Sequence, residues 1–147
     1  MSNRFDLLIK SGRVIDGTGN PYFKADIGIS EGRIARISKD LDPAGATHVI
    51  SADHLTVCPG FIDTHSHDDV YLLSNPRCDE KILQGVTTNV IGNCGISVSP
   101  VSKAHSAEMN SFLAVMCGQQ VSTDAWNLHT FGDYLSKLES LKPGMNV

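Results

Sequence analysis

A short apolar strand, a helix and a second strand follow one another in the middle of the chain and constrain its fold most. The strands are GFIDTH (60–65) and VTTNVIGN (86–93). The second strand is β-branched and nearly continuous, which is typical of a buried parallel strand. The segment NPRCDEKILQG (75–85) lies between them and predicts a helix with Asn75 or Asp79 as its N-cap. This alternation predicts an α/β fold in which helices cover a parallel sheet.

The alternation of helix and strand continues towards the carboxyl terminus. SAEMNSFLAVMCG (106–118) and TFGDYLSKLESL (130–141) predict two helices, joined by a loop through Trp126, and MNV (145–147) predicts the start of another strand. Thr130 and Asp133 predict a capping box at the start of the second helix. The predicted apolar faces comprise Met109, Phe112, Leu113, Met116 and Cys117 in the first helix, and Phe131, Tyr134, Leu135, Leu138 and Leu141 in the second.

The first part of the chain, residues 4 to about 58, has a different sequence pattern. Short segments in which apolar and polar residues alternate are separated by glycine-containing turns. This pattern predicts a small antiparallel sheet of about five or six strands. Asp16, Asp26 and His54 are isolated polar residues beside turns, and we expect all three to be solvated surface residues. The predicted strands are FDLLIK, RVIDG, ADIGIS, RIARIS, THVISA and LTVCP.

Length and composition limit the class of protein. The 147 residues suffice for a small β-domain, predicted over 1–58, and for a piece of a larger α/β domain, predicted over 59–147. A net charge of −4 without a basic cluster argues against nucleic-acid binding, and no apolar run reaches the roughly 18 residues of a membrane span. The cysteines form no close pair and there is no export signal, so we expect reduced thiols and a cytoplasmic location. The four cysteines are Cys58, Cys78, Cys94 and Cys117.

Chemistry-bearing side chains cluster where the two middle strands are predicted to end. His65 and His67 are separated by one residue, so on a strand they point to the same face, at the carboxyl end where α/β folds place their sites. Two imidazoles so placed can bind one metal ion, and zinc suits such ligands. Cys94 follows the next strand between Gly92 and Gly95, and its thiolate is a strong zinc ligand.

Each of these signals also has an ordinary structural explanation. Histidines one residue apart are common on surfaces, and a single cysteine usually packs as a small apolar side chain. On spacing alone, metal binding and ordinary packing therefore remain equal alternatives for His65, His67 and Cys94.

The motifs add a resemblance to a known family. PGFIDTHSH resembles the opening metal motif of the amidohydrolase superfamily, whose zinc hydrolases are (β/α)₈ TIM barrels preceded by a small β-domain. THSHDDVYLL and ILQGVTTNVIGNCGISVSP are similar to the N-acyl-D-amino-acid deacylase (D-aminoacylase) branch, in which a cysteine replaces a bridging carboxylated lysine or glutamate. Further similarity lies in the spaced residues Trp126, Phe131, Tyr134, Leu135, Leu138, Glu139, Asn146 and Val147.

The resemblance implies a function and a cofactor. It implies that His65 and His67 belong to one metal position and Cys94 to a second, tightly held zinc position. It implies hydrolysis of the amide bond of a small-molecule N-acyl-D-amino acid to a carboxylate and a D-amino acid. The family's two further histidines and its general acid/base aspartate have no counterpart here, because His105 and His129 are predicted in helix or loop.

The length of the chain fits only part of such a barrel. A complete (β/α)₈ barrel needs about 250 residues, and the stretch after residue 60 suffices for under three units of roughly 30 residues each. We therefore expect the first two to three units of an incomplete barrel, the N-terminal part of a longer enzyme, inactive alone, with the acid/base aspartate beyond Val147. The missing C-terminal portion would then be its partner.

Two other functions and several residue roles remain open. The same superfamily includes hydrolases of cyclic amides or imides, although these normally use a bridging lysine or glutamate. A non-catalytic metal-binding or partner chain is the third alternative. Asp68 and Asp63 are candidates to orient a ligand histidine from behind, or to be structural. Cys58 and Cys78 are expected to be structural, and Cys117 to lie in a helix core.

Overall fold

A computed structural model of the chain describes residues 4–117 and 128–147. The chain divides into two compact units, Met1–Pro59 and Gly60–Val147.

The N-terminal unit is a five-stranded mixed sheet in the order β3-β2-β1-β4, with β5 also paired to β1. Its strands are β1 (Phe5–Val14), β2 (Phe23–Ser30), β3 (Arg33–Ser38), β4 (Ala46–Ser51) and β5 (Thr56–Val57). The pairs β1–β2 and β2–β3 are antiparallel, whereas β4 and β5 run parallel to β1. The prediction of an antiparallel sheet is therefore wrong for two strands. The segment after β3 returns the chain to the start of β1, where Ala46 pairs with Phe5, so β4 runs in the direction of β1.

Strand β1 unites two segments that the sequence predicted as separate strands. The pairing with β2 shifts register between Ile9 and Gly12, and Ser11 takes the left-handed conformation with φ 62°. This is a β-bulge, which accommodates an extra residue and lets one strand continue where a turn was expected.

Asp26 is buried with only 2% of its surface exposed, so its prediction as a solvated residue is wrong. Its carboxylate accepts hydrogen bonds from Lys10 Nζ at 2.7 Å, from the N–H of Ser11 at 2.7 Å and from the N–H of Leu41 at 2.9 Å. Burial opposes ionisation, but these hydrogen bonds outweigh it and lower the pKa of Asp26. The carboxylate thereby fixes both the bulge and the segment after β3. Asp16 and His54 are exposed as predicted.

We expect Asp26→Ala to lower the free energy of unfolding of the N-terminal unit by about 2–3 kcal/mol, because buried donors lose a charged acceptor. Because the folded pKa is lowered, the contribution of Asp26 is fully present above the ordinary aspartate pKa of about 3.9 and is lost as pH falls through the folded pKa. Denaturant unfolding at pH 7 and pH 3 measures both effects. Asp16→Ala is the matched control, and an equal loss in both variants would contradict the role of Asp26.

The C-terminal unit has the alternating strands and helices that the sequence predicts. Strands β6 and β7 pair in parallel, and Asn146 forms an isolated parallel bridge to Thr88 of β7, as expected of a third strand beginning near 145–147. The elements are β6 (Phe61–Asp63), α1 (Tyr71–Ser74), α2 (Asp79–Ile82), β7 (Val86–Asn89), α3 (Ser106–Cys117) and α4 (Phe131–Leu141).

The predicted helix over 75–85 is much shorter in the structure. Helix α2 spans one turn and is preceded by Cys78, which takes the left-handed conformation with φ 49° and replaces the predicted N-caps Asn75 and Asp79. Gly85, with φ 87°, lies where the chain turns into β7. The left-handed residue before α2 prevents the helix from starting earlier, which explains the difference.

The two later helices lie where the sequence predicts them. Thr130 and Asp133 form the capping box of α4, and Tyr134 and Leu138 are buried. Phe131 and Leu135, predicted on the same face, are about half exposed, at 56% and 49%. The predictions for Gly118 and Trp126, and for the side chains of Met116 and Cys117, lie outside the described residues. Among the helices of the described ranges, none is long and apolar enough to cross a membrane.

Candidate metal centre

The candidate site lies just beyond the carboxyl ends of β6 and β7, where Asp63 is paired with Asn89. The prediction that the two histidines lie on the first strand is wrong, because β6 ends at Asp63. Beyond Asp63, the segment that follows β6 remains hydrogen-bonded to the segment that follows β7. Val90 N donates to Asp63 O at 2.8 Å, and Ser66 N donates to Val90 O at 3.2 Å. The site residues therefore occupy two loops that leave adjacent parallel strands.

The structure brings His65, His67 and Cys94 together. One donor atom from each lies within 4.8 Å of the others, and Nε2 of His65 is 3.1 Å from Sγ of Cys94. The two imidazole rings are 5.5 Å apart and nearly perpendicular. Across residues 4–117 and 128–147, this is the one group of three or more such side chains that could hold a metal ion.

The loop after β7 presents Cys94 through an unusual backbone. Gly92, Cys94 and Gly95 all have positive φ, at 76°, 57° and 70°. Glycine adopts this conformation readily, as predicted for the two flanking positions. A non-glycine residue adopts it at a cost, and such strain is concentrated at functional sites. The strained turn directs the thiol of Cys94 towards His65.

Asn93 connects the cysteine loop to the histidine loop through hydrogen bonds. Its side-chain Nδ2 donates to the carbonyl oxygen of Ser66 at 3.2 Å and to that of Val90 at 2.9 Å. Ser66 lies between the two histidines and is buried. The position of the cysteine loop is therefore coupled directly to the backbone that carries both imidazoles.

A charged network lies behind the histidine loop and was not predicted as a unit. Lys81 Nζ donates to Asp63 Oδ2 at 2.8 Å and to Ser66 Oγ at 3.0 Å, and it forms an ion pair with Asp68. Asn89 Nδ2 donates to Asp68 Oδ2 at 2.7 Å. Both aspartates were predicted candidates, but Lys81 and Asn89 were not, since nothing in their local pattern distinguishes them from surface residues.

The charges of this network stabilise one another. Burial opposes the charge of Lys81, but its hydrogen bonds to Asp63 and Asp68 outweigh burial and raise the pKa of Lys81. The hydrogen bond from Lys81 lowers the pKa of Asp63, and for Asp68 the same partner outweighs the effect of burial and lowers its pKa as well. All three groups are therefore charged at neutral pH.

Asp69 forms hydrogen bonds with both Gly92 and Tyr134, next to the candidate site. Asp69 is buried, and burial raises the pKa of its carboxyl group. The N–H of Gly92 donates to Asp69 Oδ2 at 3.3 Å, and the hydroxyl of Tyr134 donates to the carbonyl oxygen of Asp69 at 3.0 Å. Helix α4 thus supports the histidine loop through one buried hydroxyl group.

The residues present fit a zinc ion. Two ligands of a tetrahedral zinc ion, one nitrogen and one sulfur, lie about 3.5 Å apart, close to the 3.1 Å between His65 and Cys94. His67 Nδ1 is buried and has no hydrogen-bond partner in the structure. A buried polar atom without a partner is uncommon and requires an explanation, such as an ion or a water molecule. Two imidazoles and a thiolate are also a donor set that zinc prefers.

The remaining histidines and cysteines lie away from this cluster. Nδ1 of His105 is 2.8 Å from Glu108, and Nδ1 of His129 donates to the carbonyl oxygen of Val101 at 3.1 Å. Cys78 is buried, and burial raises the pKa of its thiol to about 11, as suits a structural thiol. Cys58 is exposed.

The fold matches the N-terminal region of D-aminoacylase and related amidohydrolases. The chain is 40% identical over 146 residues to a D-aminoacylase from Alcaligenes xylosoxydans xylosoxydans, which covers 99% of this chain and 28% of that protein. The chain is thus related in sequence and fold to the N-terminal part of the D-aminoacylases, and the resemblance to that branch is confirmed. No protein-family model matches the chain.

Two solved structures show different degrees of similarity to this chain. N-acyl-D-glutamate deacylase from Bordetella bronchiseptica, complexed with zinc and a phosphonate inhibitor, is 36% identical with a TM-score of 0.81, covering 98% of this chain and 28% of that one. L-hydantoinase from Arthrobacter aurescens is 26% identical with a TM-score of 0.55, covering 73% of this chain and 24% of that one. The similarity is therefore greater to the N-acyl-D-glutamate deacylase than to the L-hydantoinase.

Proposed function

We propose that this chain forms the zinc-binding N-terminal part of an amidohydrolase that hydrolyses N-acyl-D-amino acids to a carboxylate and a D-amino acid. The observation that carries the proposal is the convergence of His65, His67 and Cys94 at the ends of two parallel strands. The chain spans 28% of the length of the D-aminoacylase relative, so the activity proposed is that of a longer enzyme.

In this proposal the three side chains hold one metal centre, because the 3.1 Å between Nε2 of His65 and Sγ of Cys94 brings together the two metal positions that the resemblance implies. His65 and His67 offer neutral imidazole nitrogens, and Cys94 offers a thiolate. Zinc bound there would polarise the amide carbonyl and lower the pKa of a water molecule. His65 and Cys94 are exposed in this chain, so a metal ion can reach their donor atoms. We expect the general acid/base aspartate and two further histidines beyond Val147.

The proposal includes a division into domains. We propose residues 1–58 as the small β-domain and 59–147 as the first two to three units of an incomplete (β/α)₈ barrel. Supporting it are the parallel pairing of β6 with β7 and the parallel bridge at Asn146. We also propose a cytoplasmic location, because a ligand thiol such as Cys94 must remain reduced to bind zinc.

Two other functions are less well supported. Hydrolysis of a cyclic amide or imide fits the same fold, but the thiol of Cys94 occupies a place where those branches normally have a lysine or glutamate. A non-catalytic metal-binding chain would not need the strained turn that directs Cys94 towards His65. Hydrolysis of a linear amide therefore remains the function that the site favours.

The test uses the full-length enzyme that contains this chain, loaded with zinc. We expect release of acetate and D-methionine from N-acetyl-D-methionine, with little turnover of the L-enantiomer. Hydantoin is the competing substrate, and opening of its ring without cleavage of N-acetyl-D-methionine would overturn the proposal. Metal analysis before and after chelation shows whether turnover follows the zinc content.

A further inference from the structure

One lysine contacts three side chains that lie around the two histidines in the chain. Lys81 Nζ reaches Asp63, Ser66 and Asp68, which precede, separate and follow His65 and His67 along the chain. The ammonium group therefore contacts the loop before, between and after the two histidines.

The histidine loop has few backbone hydrogen bonds to the neighbouring segment. Strand β6 ends at Asp63, and the next backbone bond runs from Ser66 N to the carbonyl oxygen of Val90, just after β7. Within the loop, the N–H of His65 donates to Asp63 Oδ1 at 3.2 Å and the N–H of Asp68 donates to Ser66 Oγ at 3.2 Å. Both acceptor side chains are themselves held by Lys81. Lys81 thus holds two side chains that shape the loop from within, in addition to the contacts that Asn93 makes with Ser66 and Asn89 with Asp68.

Lysine suits this place better than arginine. An ammonium group has three N–H donors that point in different directions, and here they face two carboxylates and a hydroxyl group. The side chain of Lys81 is only 20% exposed, so water replaces little of this binding. A planar guanidinium group cannot make the same three contacts without moving the loop.

We propose that Lys81 is a positioning residue that holds the loop from Asp63 to Asp68 in its metal-binding conformation. The inference rests on the proposed function, because it assigns the loop to a zinc centre. Lys81 acts through Asp63 and Ser66 on His65 and His67, and it touches neither the ion nor the substrate. Without the cation, Asp63 and Asp68 repel each other and the imidazoles lose their fixed separation.

The test compares Lys81→Met with wild type and with Lys137→Met in the full-length enzyme. Lys137 is an exposed lysine of α4, so its variant removes the same charge away from the site. We expect the zinc affinity of Lys81→Met to fall by about 10–100-fold, as loss of an outer-shell partner of a metal ligand typically causes. The affinity of Lys137→Met should be unchanged. Lys81→Arg keeps the charge but should also bind zinc more weakly.

Two further readouts separate positioning from a general loss of structure. In metal-depleted enzyme, amide hydrogen exchange over residues 61–70 should be faster in Lys81→Met, whereas exchange over 5–14 should match wild type. The visible spectrum after cobalt substitution should change in shape, because the ligand geometry has changed. If Lys81→Met does not fold, the double variant Lys81→Met/Asp68→Asn is used instead. It has the same net charge as wild type but still lacks the contacts of the Lys81 ammonium group with the loop. We expect the same loss of zinc affinity.

The outcomes distinguish this inference from the proposed function. Wild-type zinc affinity and wild-type exchange over 61–70 in the folded Lys81 variants would overturn the role of Lys81 and leave the metal centre intact. Absence of zinc binding by the wild-type enzyme would instead overturn the proposed function itself.

Discussion

Replacement of Cys94 by serine should remove tightly bound zinc from the full-length enzyme and abolish nearly all activity while the protein still folds. Serine is almost the same size, but its hydroxyl group does not ionise readily and binds zinc far less well than a thiolate. We expect the zinc affinity to fall by more than the roughly 10–100-fold that loss of an outer-shell partner causes.

Cys58→Ser provides the matched control for this experiment. Cys58 is also an exposed free thiol, but it lies outside the cluster of donor atoms. The two variants change the same atom, so only their positions differ. We expect Cys58→Ser to keep the zinc content of the wild type. Metal analysis of both proteins decides the matter, and equal zinc in Cys94→Ser and wild type would show that Cys94 is no ligand.

The general architecture could be predicted because it follows from local patterns. The continuous β-branched segment that forms β7 and the capping box at Thr130 depend on residues that are close in sequence. The parallel pairing of β6 with β7 follows from a helix-containing connection between them. The direction of β4 was not predictable in this way, because pairing with β1 depends on a contact between residues about 40 positions apart.

The candidate site was predicted for a reason that proved only partly right. His65 and His67 were expected to share one face of a strand, but β6 ends before them and a loop carries both rings. They still converge with Cys94, because the carboxyl ends of adjacent parallel strands place both loops at the same edge of the sheet. The position of the site thus depends on topology more than on the side-chain alternation of a strand.

The supporting residues could not be predicted from the sequence. Lys81 lies on a single-turn helix among other charged residues, and its partners come from the loop after a different element. Asp26 looked like a turn residue, yet it is buried because Lys10 and two backbone N–H groups converge on it. Burial of a charge requires partners that are assembled only by the fold, so a local pattern cannot show it.

The last prediction concerns the 147-residue chain by itself. We expect it to hydrolyse N-acetyl-D-methionine at least about 10⁴-fold more slowly than the full-length enzyme. When catalytic groups act together, the loss of some of them removes nearly all of the rate enhancement. In the proposed function His65, His67 and Cys94 supply metal ligands, but the general acid/base is assigned to a part of the enzyme outside these residues. Proton transfer to the leaving amine therefore has no assigned group.

The measurement is release of free D-methionine by the isolated chain with added zinc, beside the full-length enzyme at the same concentration. Cobalt added in place of zinc reports, through its spectrum, whether His65, His67 and Cys94 have assembled a site. A cobalt spectrum with thiolate character but no turnover is the expected result, because metal binding needs only these three donors whereas turnover needs a proton carrier too. Turnover close to that of the full-length enzyme, retained after repurification, would mean that a residue within these 147 positions serves as the acid/base. Asp69 would then be the first to test by Asp69→Asn, since it is a buried carboxyl group next to the site whose pKa is raised by burial.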